Sequence, residues 1–107
     1  GIELAQTSFL IAEKAKYENG KAESHRVRGL IYNYLVEKDS CIKYYFLALN
    51  LFKKNNNEEG IARVSNNLGS LYADYNFKKS IHYYNNSFKI AQKLNIQDLI
   101  AGYYMNI

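Results

Sequence analysis

Residues Gly60–Tyr84 read GIARVSNNLGSLYADYNFKKSIHYY. A helix rich in small residues is followed, after one polar turn, by a helix rich in tyrosine. Over Ile61–Tyr75 the residues Ala62, Val64, Leu68, Gly69, Leu71 and Tyr72 recur at helical spacings, the signature of one buried face. Asn76 turns the chain, and Phe77–Leu94 keeps the same period through Ile81, Tyr83, Tyr84, Phe88, Ile90, Ala91 and Leu94. Alternation with period two persists nowhere, so the fold class read from the sequence is all-α.

The remainder of the chain copies this stretch. A shift of 40 places Gly20, Ala22, Gly29 and Tyr32 on Gly60, Ala62, Gly69 and Tyr72. A shift of 39 places Ile42, Tyr44 and Tyr45 on Ile81, Tyr83 and Tyr84, and Ile61-Ala62 on Ile100-Ala101. A shift of 79 carries Ser8-Phe9, Ile11-Ala12 and Lys14 onto Ser87-Phe88, Ile90-Ala91 and Lys93. A period of this size made of helix pairs indicates a solenoid, in which each unit buries its face on its neighbours. The one-residue difference falls in the turn near Asn76, where insertions are tolerated.

Taken in order, Ile2–Tyr17 carries an apolar stripe of Ile2, Leu4, Ala5, Phe9, Ala12 and Ala15, widened by Leu10 and Ile11. Asn19-Gly20 reads as a helix stop, since both tolerate the left-handed conformation. Lys21–Val36 is the next helix, with Gly29 at its middle, where another helix is expected to cross closely. Glu37–Ser40 is a polar turn that offers Asp39 or Ser40 as a cap. Cys41–Lys54 is apolar on most sides and is expected between neighbours. Asn55-Asn56-Asn57 and Asn95 are breaks, and Ile96–Ile107 begins a fifth helix. The units are therefore 1–18, the second helix of a partial repeat; 21–56 and 58–95, two full repeats; and 96–107, the first helix of another partial repeat. The chain does not start with Met and both ends lie inside helical patterns, which reads as a fragment of something longer.

Composition narrows the class. The 107 residues are 48% hydrophobic and 22% charged, as in folded globular domains rather than disordered ones. The net charge of +4 is spread without long basic runs, which favours a solvated surface over direct nucleic-acid binding. A single cysteine, Cys41, excludes an internal disulfide and a multi-cysteine zinc site. No apolar run approaches the ~18 residues of a membrane span. A signal peptide is not apparent at the start. A cytoplasmic setting is favoured, with a periplasmic sensor region as the alternative.

The segment Asn67-Leu68-Gly69 with Tyr72 resembles the first helix of the tetratricopeptide repeat, Asn-Leu-Gly-x-x-Tyr. The second-helix pattern of small, aromatic and small residues is matched by Ser80, Tyr84 and Ser87, and again by Cys41, Tyr45 and Ala48. The resemblance covers essentially the whole chain. It implies about two and a half antiparallel helix-turn-helix repeats stacked as a right-handed α-solenoid. Three departures stand out: a period of 39–40 rather than 34, no closing Pro, and Val27 where the family carries a polar Asn. The longer period is similar to repeats of kinesin light chains, spindle adaptors and bacterial peptide-sensing regulators. GIARVSNNLGSLY also looks like repeats placed ahead of histidine kinase or helix-turn-helix domains in bacterial sensors.

In that family the first helices line a concave groove. The resemblance implies groove contacts from Glu23, Arg26, Asn33 and Tyr34, then from Arg63, Asn66, Asn67, Ser70 and Asp74, with Asn106 opening a third set. Amides such as Asn67 and Asn106 could hold an extended peptide backbone, and Arg26 and Arg63 could clamp a carboxylate. The opposing reading is that Asn67 bonds a nearby backbone group and the arginines are solvated. Cys41 sits at a packing position, so inert burial outweighs nucleophilic use. His25 and His82 lack paired ligand spacing, and no catalytic triad or phosphate loop is present. The tyrosines follow packing periodicity and read as core. No cofactor, metal or enzymatic activity is expected. The expected partner is a protein or peptide, with no direct nucleic-acid contact and no membrane segment. The reading from a different class is a structural or oligomerisation module that self-associates through terminal repeat faces.

Overall fold

The computed structural model describes residues 2–106, with side chains from Gln6 onward. Among the described residues there are five helices and no strand: α1 (Ile2–Tyr34), α2 (Lys38–Lys54), α3 (Glu58–Tyr72), α4 (Phe77–Leu94) and α5 (Gln97–Asn106). The molecule is elongated, 55 × 29 × 19 Å. No helix of the described residues is long and apolar enough to cross a membrane.

The first finding is a correction. α1 runs unbroken for 33 residues, straight through Asn19-Gly20. No glycine among the described residues has a positive φ. The reason is one of repeat frame. Gly20 corresponds to Gly60, which lies inside the first turn of α3. The break that precedes α3, Asn55-Asn56-Asn57, falls forty residues earlier on Ala15-Lys16-Tyr17. Those residues do not favour the left-handed conformation that a stop requires, so helical propagation wins there. The first half of α1 is consequently not a buried partner helix: Phe9, Leu10 and Ile11 are each more than 60% exposed. The side chains of Ile2, Leu4 and Ala5, and all of Ile107, lie outside the described residues.

Helix ends follow from asparagine placement. Asn57 and Asn76 cap α3 and α4, accepting from Gly60 N at 3.0 Å and Lys79 N at 3.1 Å. Asn56 and Asn95, 39 residues apart, both adopt the left-handed conformation after α2 and α4. The following amides, Asn57 N and Ile96 N, reach back to Phe52 O and Ala91 O, both at 2.9 Å. The turn after α1 has the same form, with Glu37 N on Tyr32 O, but its left-handed residue is Val36. That turn returns the chain to helix at Lys38, so neither Asp39 nor Ser40 is the cap. Glu37 holds that position, without a side-chain hydrogen bond.

Two helical hairpins, α1–α2 and α3–α4, repeat the same contacts. Gly29 lies against the Tyr45 ring and Gly69 against the Tyr84 ring, so closely that no Cβ fits without displacement. Both rings are buried. Tyr32 stacks on Tyr44 with centroids 5.4 Å apart, and their counterparts Tyr72 and Tyr83 stack at 5.8 Å. Lys54 pairs with Glu18 at 3.6 Å, and the equivalent Lys93 pairs with Glu58 at 2.9 Å. α2 and α3 join the hairpins through Phe52, Val64, Leu68 and Leu71, all buried. A smaller cluster of Ala62, Ala91 and Leu99 seats α5. Cys41 is buried, and burial pushes its thiol pKa up, away from thiolate chemistry. The tyrosines are not uniformly core. Tyr17, Tyr34, Tyr75 and Tyr104 are exposed.

Candidate ligand groove

α1, α3 and α5 carry a row of charged and amide side chains tied from one helix to the next. On α1 the Arg26 guanidinium donates to Glu23, one turn earlier, from Nε at 3.0 Å and Nη2 at 2.6 Å. Its Nη1 crosses to α3 and donates to Asn67 Oδ1 at 3.0 Å. On α3, Arg63 repeats the plan one step on. Its Nε reaches Glu59 Oε1 at 3.3 Å, and its two terminal nitrogens reach the Asp98 carboxylate of α5 at 2.9 and 3.3 Å. The donated hydrogen bonds from Arg63 hold the Asp98 carboxyl below its usual range.

Between α1, the end of α2 and α3 lies a cavity of ≈ 380 Å³, lined by Asn19, Glu23, Arg26, Phe52, Asn57, Glu59, Gly60 and Arg63. Its chemistry is balanced, with two guanidinium groups, two carboxylates and two amides around the apolar edge of Phe52. Two of its lining residues, Gly60 and Phe52, approach so closely that a Cβ at Gly60 would run into the Phe52 ring. Asn19 Oδ1 is shut off from solvent and has no hydrogen-bond partner among the described residues. A buried acceptor without a donor is costly, so this atom is a local weak point of the packing beside the cavity and not a contact open to a ligand.

Of the residues expected to line a groove, the structure brings Arg26, Arg63 and Glu23 to the cavity wall. Asn67 stands behind Arg26 as its acceptor. Asn33, Asn66, Ser70 and Asn106 do not line the cavity; Asn66 is half-buried and the other three are exposed. Tyr34 and Asp74 are exposed as well. The Arg26 guanidinium is engaged by Glu23 and Asn67, and that of Arg63 by Glu59 and Asp98, with the Arg63 side chain 31% exposed. Asn67 bonds a side chain rather than neighbouring backbone. Asn19, Asn57 and Glu59 were not foreseen. Glu59 was within reach from its i,i+4 spacing to Arg63. Asn19 was hidden by its reading as a helix stop.

No family model, curated protein or solved structure matches the chain.

Proposed function

We propose that the chain is a protein- or peptide-binding scaffold of the tetratricopeptide kind, a right-handed α-solenoid of about two and a half repeats with its groove along α1, α3 and α5. The observation that carries this reading is the polar row itself. Arg26 and Arg63 join three successive first helices and border a cavity that Glu23, Glu59 and two asparagines also line. Such a wall offers an extended peptide both donors and acceptors, while Phe52 supplies an apolar stop. The duplicated glycine–tyrosine contacts and asparagine stops support the repeat assignment. By resemblance, the parent protein is a bacterial sensor or regulator whose output domain lies elsewhere.

The test is selection from a displayed random-peptide library on the immobilised 107-residue chain, repeated with the Arg63→Ala, Asn67→Ala double variant. Peptides enriched on the parent chain and lost on the variant, with far-UV circular dichroism unchanged, support the scaffold. Equal enrichment on both, or none on either, overturns it.

A further inference from the structure

Lys21, His25, Arg28 and Tyr32 follow one another along α1 at spacings of four, three and four, and so share one flank of that helix. The buried line of Ala22 and Gly29 separates this flank from Glu23 and Arg26 on the groove side. Across the seam, the Tyr44 ring of α2 stacks on His25 at 5.8 Å and on Tyr32 at 5.4 Å. Arg28 and Lys43 stand over the same ring, at 5.8 and 5.6 Å from its centroid. Lys21, Arg28 and Lys43 are exposed, and none has an ion-pair partner among the described residues. Arg28 thus differs from Arg26 and Arg63, whose guanidinium groups are engaged by side chains of neighbouring helices.

Two observations set this patch apart from an ordinary solvated face. Three cations gather around one tyrosine ring with no carboxylate among them, so their mutual repulsion is uncompensated. The second hairpin, moreover, treats the same seam differently. A shift of 40 places Lys21, His25 and Arg28 on Ile61, Ser65 and Leu68, of which Ser65 and Leu68 are buried. There Phe46 of α2 meets Tyr83, the counterpart of Tyr44, edge-on at 6.4 Å. The first hairpin carries cations where the second carries covered residues, so its open seam suits an anionic occupant and not an apolar helix.

We propose that the α1–α2 seam around Tyr44 docks an acidic segment of a partner protein, with Arg28 taking a carboxylate and Lys21 and Lys43 flanking it. An acidic peptide fits this patch better than a nucleic acid does. The Tyr44 ring already carries His25, Tyr32 and two cations, and so offers no bare face on which a base could stack. The site shares no residue with the Arg26–Arg63 groove and stands whether or not that groove binds a peptide. His25 supplies a local reporter. Burial lowers its pKa, and Arg28 and Lys21 on its own helix lower it further, with Lys43 of α2 across the Tyr44 ring. Carboxylates bound at the seam offset those cations, so occupancy should raise the His25 pKa.

Titration of hexaglutamate into the whole chain at low ionic strength, followed by NMR, tests the proposal. Amide shifts should concentrate on Lys21–Tyr32 and on Lys43 and Tyr44, and the His25 pKa should rise with peptide bound. Arg28→Gln should weaken binding about tenfold, the scale of one charge-assisted hydrogen bond. Lys43→Gln should weaken it about threefold, as for an exposed ion pair. Both positions are exposed, and circular dichroism should be unchanged. Lys89→Gln, which removes an exposed charge from α4, should leave binding as it was. Equal weakening by all three substitutions would mean attraction to net charge alone and would overturn the proposal. Shifts centred on Arg63, or no binding at all, would overturn it too. Tighter binding of an oligothymidylate of equal charge at these residues would make the partner a nucleic acid, against the proposal.

Discussion

The hairpins α1–α2 and α3–α4 are built on one plan, yet α3–α4 is the better furnished of the two. Both hold a glycine against a tyrosine ring, a stacked tyrosine pair and a lysine–glutamate bridge. In α3–α4 the Ser80 hydroxyl donates to Gly69 O at 2.8 Å in the buried crossing; the matching residue in α1–α2 is Cys41, a far weaker hydrogen-bonding group. Asn76 caps α4, whereas Glu37 leaves α2 without a side-chain cap. Leu71 on α3 is 7% exposed, and its counterpart Ile31 on α1 is 53% exposed, because α3 has helices on more of its sides. The lesson is that the contact within a hairpin is set locally by glycine and tyrosine. Burial of the remaining apolar face depends on which neighbours stack beside it.

The largest effects should come from emptying the tyrosine sockets. Tyr84→Ala and Tyr45→Ala each remove a buried ring and should cost about 3–5 kcal/mol, the usual scale for a large aromatic truncated in a core. Urea unfolding followed by circular dichroism would measure this. A single transition that either substitution shifts as a whole would show that the two hairpins unfold as one unit. A loss confined to one probe or one phase would show that they are separate.

Next come the glycines, which divide into two classes. A Cβ at Gly69 would stand 2.7 Å from Tyr84 Cδ1, and at Gly29 the Tyr45 ring lies closer still. Gly69→Ala and Gly29→Ala should each destabilise by about 1–3 kcal/mol, the overpacking term outweighing the better helix propensity of alanine. Gly20 has open space around its would-be Cβ and a helical backbone. Gly20→Ala should therefore stabilise by roughly 0.5–1 kcal/mol. A loss of stability at that position would mean that Asn19-Gly20 is a left-handed helix stop after all, and that α1 is two helices.

That contrast shows how much was legible in the sequence. The all-α class, the mid-helix crossing at Gly29 and the approximate bounds of α2 to α5 follow from periodicity and glycine placement. The stop at Asn19-Gly20 was read from residue type alone, although the shift that puts Gly20 on Gly60 already places it inside a helix. The groove was less legible. The family resemblance singled out Arg26 and Arg63, but their partners Asn67 and Asp98 lie 41 and 35 residues away on other helices. Whether an arginine fork is open or filled depends on how those helices are set against each other, which no local pattern encodes. Asn19 became visible as a wall residue only once its helix was known to continue.

The smallest effect concerns the turn that separates the two hairpins most clearly. Val36 has φ of 60° and is 77% exposed, so it adopts the left-handed conformation with little packing to compensate. A β-branched side chain there crowds its own backbone, at a cost of order 1–2 kcal/mol. Asparagine tolerates the conformation, and this chain already uses it so at Asn56 and Asn95. Val36→Asn should relieve the strain without adding the unfolded-state entropy that glycine would bring. The α1–α2 hairpin should gain about 0.5–1 kcal/mol, in the lower part of the range for such stabilising substitutions. Hydrogen exchange at Glu37 N, whose bond to Tyr32 O closes the turn, would read the gain locally as slower exchange. An unchanged exchange rate together with unchanged global stability would mean that the turn carries no strain. The difference between the hairpins would then lie in Cys41 against Ser80 and in the greater exposure of the apolar face of α1.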